Sequence, residues 1–321
     1  MSRIPNTYIA LFAALAIFPA AVNNVLVHDV FILSALYAYL ATAWNIQAGF
    51  AGLISIGHAA YFGIGAYTTG ILGSKFGVPP LIGFLAGALI SGAFAAATSA
   101  PVFRFGVKGY YYVLTTLAVA EALRLIFLAW DFVGRSEGVW VPPRGDSLWH
   151  LQFASSRIPY VYIILTMLIL ATLLSHYIRR AQFGLRLLSI REDEEAAQSV
   201  GVNTFRHKLI ATVMSASLTS LGGAFYIQYT LFVEPDTSMS VPISIDILLP
   251  AMIGGQGTVI GPLVGSFVFN PLSWLTRIFF ASDVLPYILR GILLILIVLL
   301  MPRGLVPVVE DYVKSRRARG G

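Results

Sequence analysis

Two ionisable residues lie close together inside an apolar stretch of this sequence. Glu121 and Arg124 are three residues apart in the segment 110–130, which is otherwise uncharged. On a helix this spacing places both side chains on one face, where a carboxylate and a guanidinium can pair. Because charged groups are costly to bury in an apolar medium, the pair predicts either a structural ion pair or a polar lining for a solute.

His58 is a second candidate for polar chemistry in an apolar setting. It lies in a glycine-rich stretch that also contains Tyr61 and Tyr67, two further candidates for lining a pathway. A single histidine there favours an interhelical hydrogen bond, and the alternative is a polar contact on a pathway through the protein. The uncharged polar residues that could line such a pathway, or equally join two helices, are Asn45, Thr115, Thr116 and Gln228.

The residue types give little support to covalent or metal-based catalysis. The sequence has no cysteine, which excludes disulfides, thiol nucleophiles and cysteine metal sites. It has no HExxH motif for zinc, no GxSG serine setting and no Walker A loop for nucleotide phosphates. We therefore expect no metal site, no cofactor and no enzymatic activity on this chain.

The composition places these residues in a membrane protein. Of the 321 residues, 57% are hydrophobic and only 11% are charged, whereas soluble domains average about 25% charged residues. Apolar runs near the length of a bilayer crossing predict a single all-α transmembrane domain over 1–321, with about ten helices. The predicted segments are 7–22, 29–47, 53–73, 80–102, 110–130, 159–178, 209–231, 237–255, 258–280 and 285–301.

Two of these segments admit a second interpretation. The first could be a cleaved signal peptide, but its length and the helix-like start at Pro5 and Asn6 favour a retained helix. The eighth segment is interrupted by Asp246 and Pro250. It therefore either spans the membrane or forms a broken or re-entrant helix.

Glycines cluster where the ninth segment begins. Non-helical backbone at this place could line or gate a pathway, and a tight turn between two helices explains the same pattern. The glycines concerned are Gly254, Gly255, Gly257 and Gly261.

The distribution of positive charge orients the chain. Fourteen of the 21 Lys and Arg residues lie at the N-terminus, at 104–108, in the loop 179–208 and in the basic tail 302–321. Ten crossings place all of these on one side, and cytoplasmic loops are the ones enriched in Lys and Arg. Both termini and the central loop are therefore predicted to be cytoplasmic. The net charge of +6 reports this orientation and does not indicate nucleic-acid binding.

The long cytoplasmic loop has the pattern of a short helix followed by a turn. Ser189 and Glu192 have the spacing of a capping box, which predicts a helix that begins near Ile190 with acidic residues in its first turns. Gly201 is expected to end this helix, and Asn203 or Thr204 to cap the next one. Such a helix would offer a binding surface to a soluble partner. The alternative is a solvated charged loop, which would have a similar composition.

Several stretches resemble one family of membrane proteins. The string EEAAQSVG at 194–201 resembles the EAA loop of ABC-transporter permeases. The stretches GFAGLISIGHAAYFGIGAYTTGIL (49–72), YYYVLTTLAVAEALRLI (110–126) and IGGQGTVIGPLVGSFV (253–268) are similar to permeases of branched-chain amino acid ABC transporters. These transporters have a pair of permease subunits. The chain resembles the M-type subunit of the leucine/isoleucine/valine transporter more closely than the other member of the pair.

The resemblance implies a place in a larger importer of the bacterial inner membrane. Two permease chains, this one and a sister subunit or a second copy, would form the pathway within the lipid bilayer. Two ATP-binding subunits would carry ATP and Mg, and a periplasmic binding protein would deliver a small neutral amino acid. In that family the EAA loop docks on the ATP-binding subunit, which here implicates Glu194, Glu195, Ala196, Ala197 and Gly201.

Two other functions are compatible with parts of the sequence, and a third fits it less well. Permeases for urea and short-chain amides have similar motifs. An ion-coupled secondary transporter would need carboxylates at membrane depth, for which Glu121 and Asp246 are the candidates. A channel has no use for a rigid cytoplasmic helix of this pattern.

Overall fold

The computed structural model of the chain is almost entirely helical. It describes residues 6–22, 24–147, 149–280 and 304–309, with positions 288, 291, 292 and 295. The long helices are α1 Asn6–Ala21, α2 Val25–Asn45, α3 His58–Phe76, α4 Pro80–Arg104, α5 Tyr110–Ala129, α6 Ile158–Arg180, α9 Thr204–Thr230, α11 Val241–Gly254 and α12 Gly261–Phe280. The shorter helices are α7 Gln182–Glu192, α8 Glu194–Ser199 and α10 Pro235–Ser238. The strands β1 Val139–Trp140 and β2 Phe232–Val233 pair antiparallel.

Local sequence signals begin and end these helices. The Asn24 side chain accepts a hydrogen bond from Leu26 N at 2.9 Å and so caps α2. Pro80 lies in the first turn of α4, where its missing N–H costs nothing. Gly77 ends α3 in the left-handed conformation, with φ of 67°.

Among the described residues, six helical stretches are long and apolar enough to cross a membrane. The chain is therefore an all-α, multi-pass membrane protein. The six stretches are Val25–Phe50, Pro80–Arg104, Tyr110–Ala129, Ile158–Arg180, Thr204–Thr230 and Pro235–Gly254. Most of the tenth predicted segment, 285–301, lies outside the described residues.

Small residues bring α3 and α9 into close contact at the centre of the bundle. A Cβ at Gly65 would lie 1.9 Å from the carbonyl oxygen of Ser220, and a Cβ at Gly223 would lie 1.9 Å from that of Phe62. The two backbones can approach this closely only because neither position carries a side chain. Gly65, in the third predicted segment, thus serves helix packing.

The helical path breaks between α2 and α3. A π-helical turn, Ile46–Phe50, extends α2, and the chain then runs without helix to Gly57. Helix α3 therefore begins at His58, and the predicted start at 53 is wrong. The local reason is Gly52, whose φ of 72° a helix cannot accommodate.

The eighth predicted segment is broken, at a place other than the one expected. The break lies at Met239 and Ser240, between α10 and α11. Asp246 and Pro250 both lie within α11. Pro242 accounts for the difference, because a proline in the first turn favours the start of a new helix.

Candidate functional site

Helix α7 is held against one end of the membrane helices by apolar contacts. Leu187 is fully buried. It belongs to one cluster with Ile46 and Phe50 of the π-turn, Ile178 of α6 and Ala211 of α9. The loop 179–208 is therefore packed on the membrane helices and is more than a solvated connection.

The predicted capping box in this loop does not form. Helix α7 spans Gln182–Glu192, so the expected helix start near Ile190 is wrong. Ser189 lies inside the helix, and its hydroxyl donates to the carbonyl oxygen of Arg186 at 2.8 Å. Serine can bond back to its own helix in this way, and the spacing alone does not distinguish that from a cap.

The cap belongs to Asp193, which begins α8. Its carboxylate accepts hydrogen bonds from the N–H groups of Glu195 at 2.9 Å and Ala196 at 3.0 Å. Asp193 has an extended backbone, with φ of −154°, and so separates α7 from α8. Of the predicted run of acidic residues, Glu194 and Glu195 lie in the first turn of α8, where the helix dipole favours negative charge.

Helix α8 presents two different faces. Glu194 points inward and accepts a hydrogen bond from Nζ of Lys208 at 2.6 Å, while Ala197 is buried. The Glu195 side chain is 87% exposed, Ala196 is also exposed, and Val200 beyond the helix is 80% exposed. The outward face thus offers a carboxylate and an apolar side chain to a partner.

The inward carboxylate is held in its charged form. Burial raises the pKa of Glu194, but the hydrogen bond and charge of Lys208, with Lys108 at 3.6 Å and the Thr204 hydroxyl, outweigh it. The pKa of Glu194 therefore lies below its ordinary value. The Lys208 side chain is only 3% exposed, so this ion pair ties α8 to the first turns of α9.

Gly201 ends this structure by its backbone conformation. Its φ is 85°, and a Cβ there would meet no atom within 4 Å. Space is therefore not what requires glycine; the left-handed turn is. Asn203 caps α9 by accepting from Arg206 N at 3.0 Å, as the sequence predicts.

The glycines at the start of the ninth predicted segment form a tight turn between α11 and α12. A Cβ at Gly254 would lie 1.7 Å from the carbonyl oxygen of Gly261. Gly255 and Gly257 have φ of 122° and 80°. Asn45 holds the turn, since its Oδ1 accepts from Gly257 N at 2.8 Å. Asn45, one of the pathway candidates, thus contacts this glycine turn.

His58 makes the interhelical hydrogen bond that its type favours. Its Nε2 lies 2.8 Å from Oγ of Ser215 on α9. That hydroxyl donates its single hydrogen to the carbonyl oxygen of Ala43 at 2.8 Å, so it accepts from His58. The His58 ring also meets the Tyr61 ring edge-on, with centroids 5.4 Å apart.

Three of the predicted pathway residues come together between α3, α4 and α5. Tyr61, Thr115 and Thr116 line a cavity of about 10 Å³, together with Gly57 and Tyr112. That volume is near the minimum for one water molecule and is far too small for an amino acid. In this conformation the cluster closes the space and does not form an open path.

Glu121 and Arg124 pair on α5, and a third residue joins them. Nε of Arg124 donates to Oε2 of Glu121 at 3.0 Å, and Nη1 donates to the carboxylate of Asp236 on α10. The side chains of Glu121 and Asp236 are 38% and 62% exposed. Two carboxylates and one guanidinium therefore sit at one edge of the structure.

The remaining two pathway candidates lie apart from these groups. Tyr67 packs edge-on against Phe127, with ring centroids 4.9 Å apart. Gln228 is buried on α9. Within the described part of the chain, the Tyr67 hydroxyl and both polar atoms of the Gln228 side chain make no hydrogen bond.

A larger cavity lies in the half of the bundle that holds α10. Its volume is about 480 Å³, and its lining mixes apolar, aromatic and acidic side chains. The polar and aromatic members are Tyr37, Tyr226, Asp236, Thr237, Ser240, Asp246, Asn270, Ser273 and Trp274. Among the described residues, no group of three or more acidic or histidine side chains is arranged to hold a metal ion.

Sequence reasoning missed three residues of these sites. Asp236 follows a membrane segment and reads as an ordinary loop acid. Lys208 and Arg191 were counted only as topology signals. The one available hint was that Lys208 lies 14 positions after Glu194, on the far side of a predicted turn. No sequence signal could have shown that Arg191 bonds to the carbonyl oxygen of Gly49, which lies 142 positions earlier in the chain.

The comparison with protein families decides the identity of the chain. The family described as "Branched-chain amino acid transport system / permease component" matches residues 26–298, most of the sequence. The chain belongs to this permease family. The match covers the π-turn, α7 and α8, the glycine turn and α12, so the sites above lie within the matched residues.

Individual relatives agree with that assignment. The permease is 26% identical to the high-affinity branched-chain amino acid permease LivM of Escherichia coli K12, over 90% of this chain and 72% of LivM. It is 22% identical to LivH of the same organism, over 85% of this chain and 92% of LivH. A nucleoside ABC transporter permease of Lactococcus lactis, NupC, is 27% identical over 70% of this chain and 71% of NupC. No solved structure matches the permease.

Proposed function

We propose that this permease imports branched-chain or similar small neutral amino acids across a bacterial inner membrane, driven by separate ATP-binding subunits. The observation that carries the proposal is the construction of α7 and α8. They form a packed cytoplasmic ledge with an exposed outer face, joined to a membrane helix through Lys208 and Glu194. A partner that pushes on this ledge would move α9 with it.

The proposed ATPase-binding surface is the outward side of α8 and its turn. Glu195, Ala196 and Val200 would contact the partner, Glu194 and Ala197 would hold α8 in place, and Gly201 would set the turn into α9. An exposed valine beside an exposed carboxylate suits a partner surface with an apolar pocket and a basic rim. We call α8 in this role the coupling helix.

The proposed assembly has four kinds of component. This permease and a sister subunit form the pathway, two ATP-binding subunits carry ATP and Mg, and a periplasmic protein delivers the substrate. LivM and LivH are the names of two permeases of one transport system, which supports a pair of unlike permease chains. In this arrangement the chain itself contributes no catalytic group.

Uptake measurements test the proposal against its main competitors. Proteoliposomes with the complete transporter should accumulate labelled leucine only with ATP inside the compartment that faces the ATPases, and isoleucine and valine should compete. Urea, acetamide and nucleosides serve as the alternative competitors, because related permeases carry such solutes. Leucine uptake by the lone chain, driven by an ion gradient, would replace the proposal with secondary transport.

Matched cysteines test the proposed orientation, in which ten crossings leave both termini and the coupling helix inside. Ser199 and Ser136 are exposed serines on α8 and on the loop after α5. Since the chain has no cysteine of its own, Ser199→Cys and Ser136→Cys each provide one thiol. A membrane-impermeant maleimide should label only Ser136→Cys in intact cells. Labelling of both, or of Ser199→Cys alone, would contradict the orientation.

A further inference from the structure

One arginine of α7 contacts a distant part of the backbone. Nη1 of Arg191 donates a hydrogen bond of 2.6 Å to the carbonyl oxygen of Gly49, in the π-turn that follows α2. The last carbonyls of a helix lack N–H partners in their own helix, and an arginine can supply the donor. Because the donor is charged, this bond is stronger than one between neutral groups.

The arginine side chain fits between glycines from two turns. A Cβ at Gly257 would lie 2.4 Å from Nη1 of Arg191, and a Cβ at Gly52 would lie 3.1 Å from its Cγ. Gly52 precedes α3, whereas Gly257 lies between α11 and α12. The side chain of Arg191 therefore touches both non-helical turns at once.

Other side chains clamp the end of α2 and its π-turn to the turn 255–260. Nδ2 of Asn45 donates to the carbonyl oxygen of Thr258 at 2.8 Å, while its Oδ1 accepts from Gly257 N. Nε2 of Gln256 donates to the carbonyl oxygen of Ala48 at 2.9 Å. With the backbones joined in this way, one turn cannot move far without the other.

The π-turn and the turn 51–57 that follows it both contact α5. Nε2 of Gln47 lies within hydrogen-bond distance of the Tyr112 hydroxyl, at 2.8 Å. Ile56 N donates to Oγ1 of Thr116 at 3.2 Å, and a Cβ at Gly57 would lie 2.5 Å from the Thr116 carbonyl oxygen. These contacts lead from Gly49 to the closed cluster around Tyr112 and Thr116.

We propose that Arg191 is a positioning residue that carries displacement of the coupling helix to the turns 51–57 and 255–260, and from them to α5. This inference rests on the proposed coupling to ATP-binding subunits. Burial of Leu187 and Ile190 already anchors α7, so Arg191 is not needed to fold the ledge. Its task is to make the two turns follow the ledge when a partner moves it.

The first test compares two arginines of the same helix in the complete transporter. Arg191→Gln should keep co-purification of the ATPase and ATP hydrolysis within about twofold, while leucine uptake falls at least about tenfold, a typical size for a coupling free energy. Arg186→Gln, an exposed control on α7, should leave all three unchanged. Arg191→Lys keeps a cationic donor and should recover part of the uptake.

Three results would overturn the proposal. They are uptake by Arg191→Gln within twofold of the wild type, an equal loss in Arg186→Gln, and loss of ATPase co-purification in Arg191→Gln, which would assign Arg191 to partner binding. A wild-type transporter without ATP-driven uptake would instead refute the proposed function. The two failures are therefore distinguishable.

A double-mutant cycle tests the contact itself. Gly257→Ala places a methyl group against the guanidinium and strains a backbone with φ of 80°, so it should reduce uptake. In the Arg191→Gln background the collision with the guanidinium is removed, and the backbone strain and a 3.1 Å approach to the carbonyl oxygen of Gly49 remain. The combined loss should therefore be smaller than the product of the two single losses. Losses that multiply without interaction would contradict the proposed link.

Discussion

The two ends of the bundle are held together in different ways. At the end that holds α7, glycines bring turns of the chain into contact. The carbonyl oxygens of these turns accept hydrogen bonds from the side chains of Asn45, Gln256 and Arg191. In the half that contains α10, Arg124 holds Glu121 and Asp236 beside a cavity of about 480 Å³. The hydrogen bonds from side chains to the backbone restrict movement of the turns. Exposed ion pairs, in contrast, break and re-form readily in water.

This difference suggests a division of labour. In the proposed transporter, displacement of α7 and α8 would need contacts that transmit it, such as the bonds of Asn45, Gln256 and Arg191. A gate toward the solute would need contacts that open at low cost, such as side-chain ion pairs. Substitutions of Asn45 and Arg124 can break or sharpen the contrast.

The largest effect is expected at Asn45. Asn45→Leu leaves Gly257 N–H and the Thr258 carbonyl without their partner, at a cost of roughly 1–3 kcal/mol for each buried group. Uptake should fall to background, and the unfolding temperature of the detergent-solubilised permease should drop. Asn270→Leu is the matched control, because among the described residues the Asn270 amide bonds to Ser266 of its own helix. Equal destabilisation by both would remove the distinction between the two ends.

A smaller effect is expected from the ion pairs on α5. Arg124→Gln leaves Glu121 and Asp236 without their shared cation, and should raise the leucine concentration for half-maximal uptake several-fold. Because these groups are partly exposed, the stability cost should be about 1 kcal/mol or less. The charge-compensated double variant Glu121→Gln/Arg124→Gln should recover part of the affinity. An unfolded Arg124→Gln variant would show that the ion pairs are structural.

The fold and the sites differ in how far the sequence predicts them. Hydrophobic run length predicts the long helices, and Asn203 and Gly201 predict local boundaries, because these signals act within a few residues. The start of α3 and the capping box were wrong for a common reason. Gly52 can take a helical or a left-handed backbone, and Ser189 can cap a helix or bond back to its own helix. The local pattern does not distinguish these alternatives.

The polar sites show the same limit. The spacing of Glu121 and Arg124 predicts their pairing, since both lie on one helix. Asp236 joins them from another helix, and Arg191 meets Gly49 across 142 positions of the chain. Periodicity in the sequence does not predict such long-range contacts. The contact between Arg191 and Gly49 is therefore evident only in the folded chain.

The smallest expected effect is a pH dependence at Glu194. Its pKa is lowered from 4.5, so its pairing with Lys208 stabilises the folded state above that pH and is lost as pH falls through the lowered pKa. The unfolding temperature of wild type should exceed that of Glu194→Gln by a constant amount from pH 7 to pH 5. The difference should shrink as pH falls below about 4.5.

A second variant tests whether Lys208 causes this dependence. In a Lys208→Met background the Glu194→Gln substitution should no longer give an acid-sensitive difference. A difference that persists without Lys208 would assign the effect to another group.

The central claim is that the outward face of α8 binds the ATP-binding subunits. Its most direct test is co-purification of the ATPase with the permease, measured together with leucine uptake in the same membranes. Glu195→Lys reverses the exposed charge on α8, and Glu137→Lys makes the same change in the loop after α5. We expect Glu195→Lys to insert normally, to lose ATPase binding or to hydrolyse ATP without uptake, and Glu137→Lys to behave as wild type. Normal ATPase binding and normal uptake in Glu195→Lys would contradict the account.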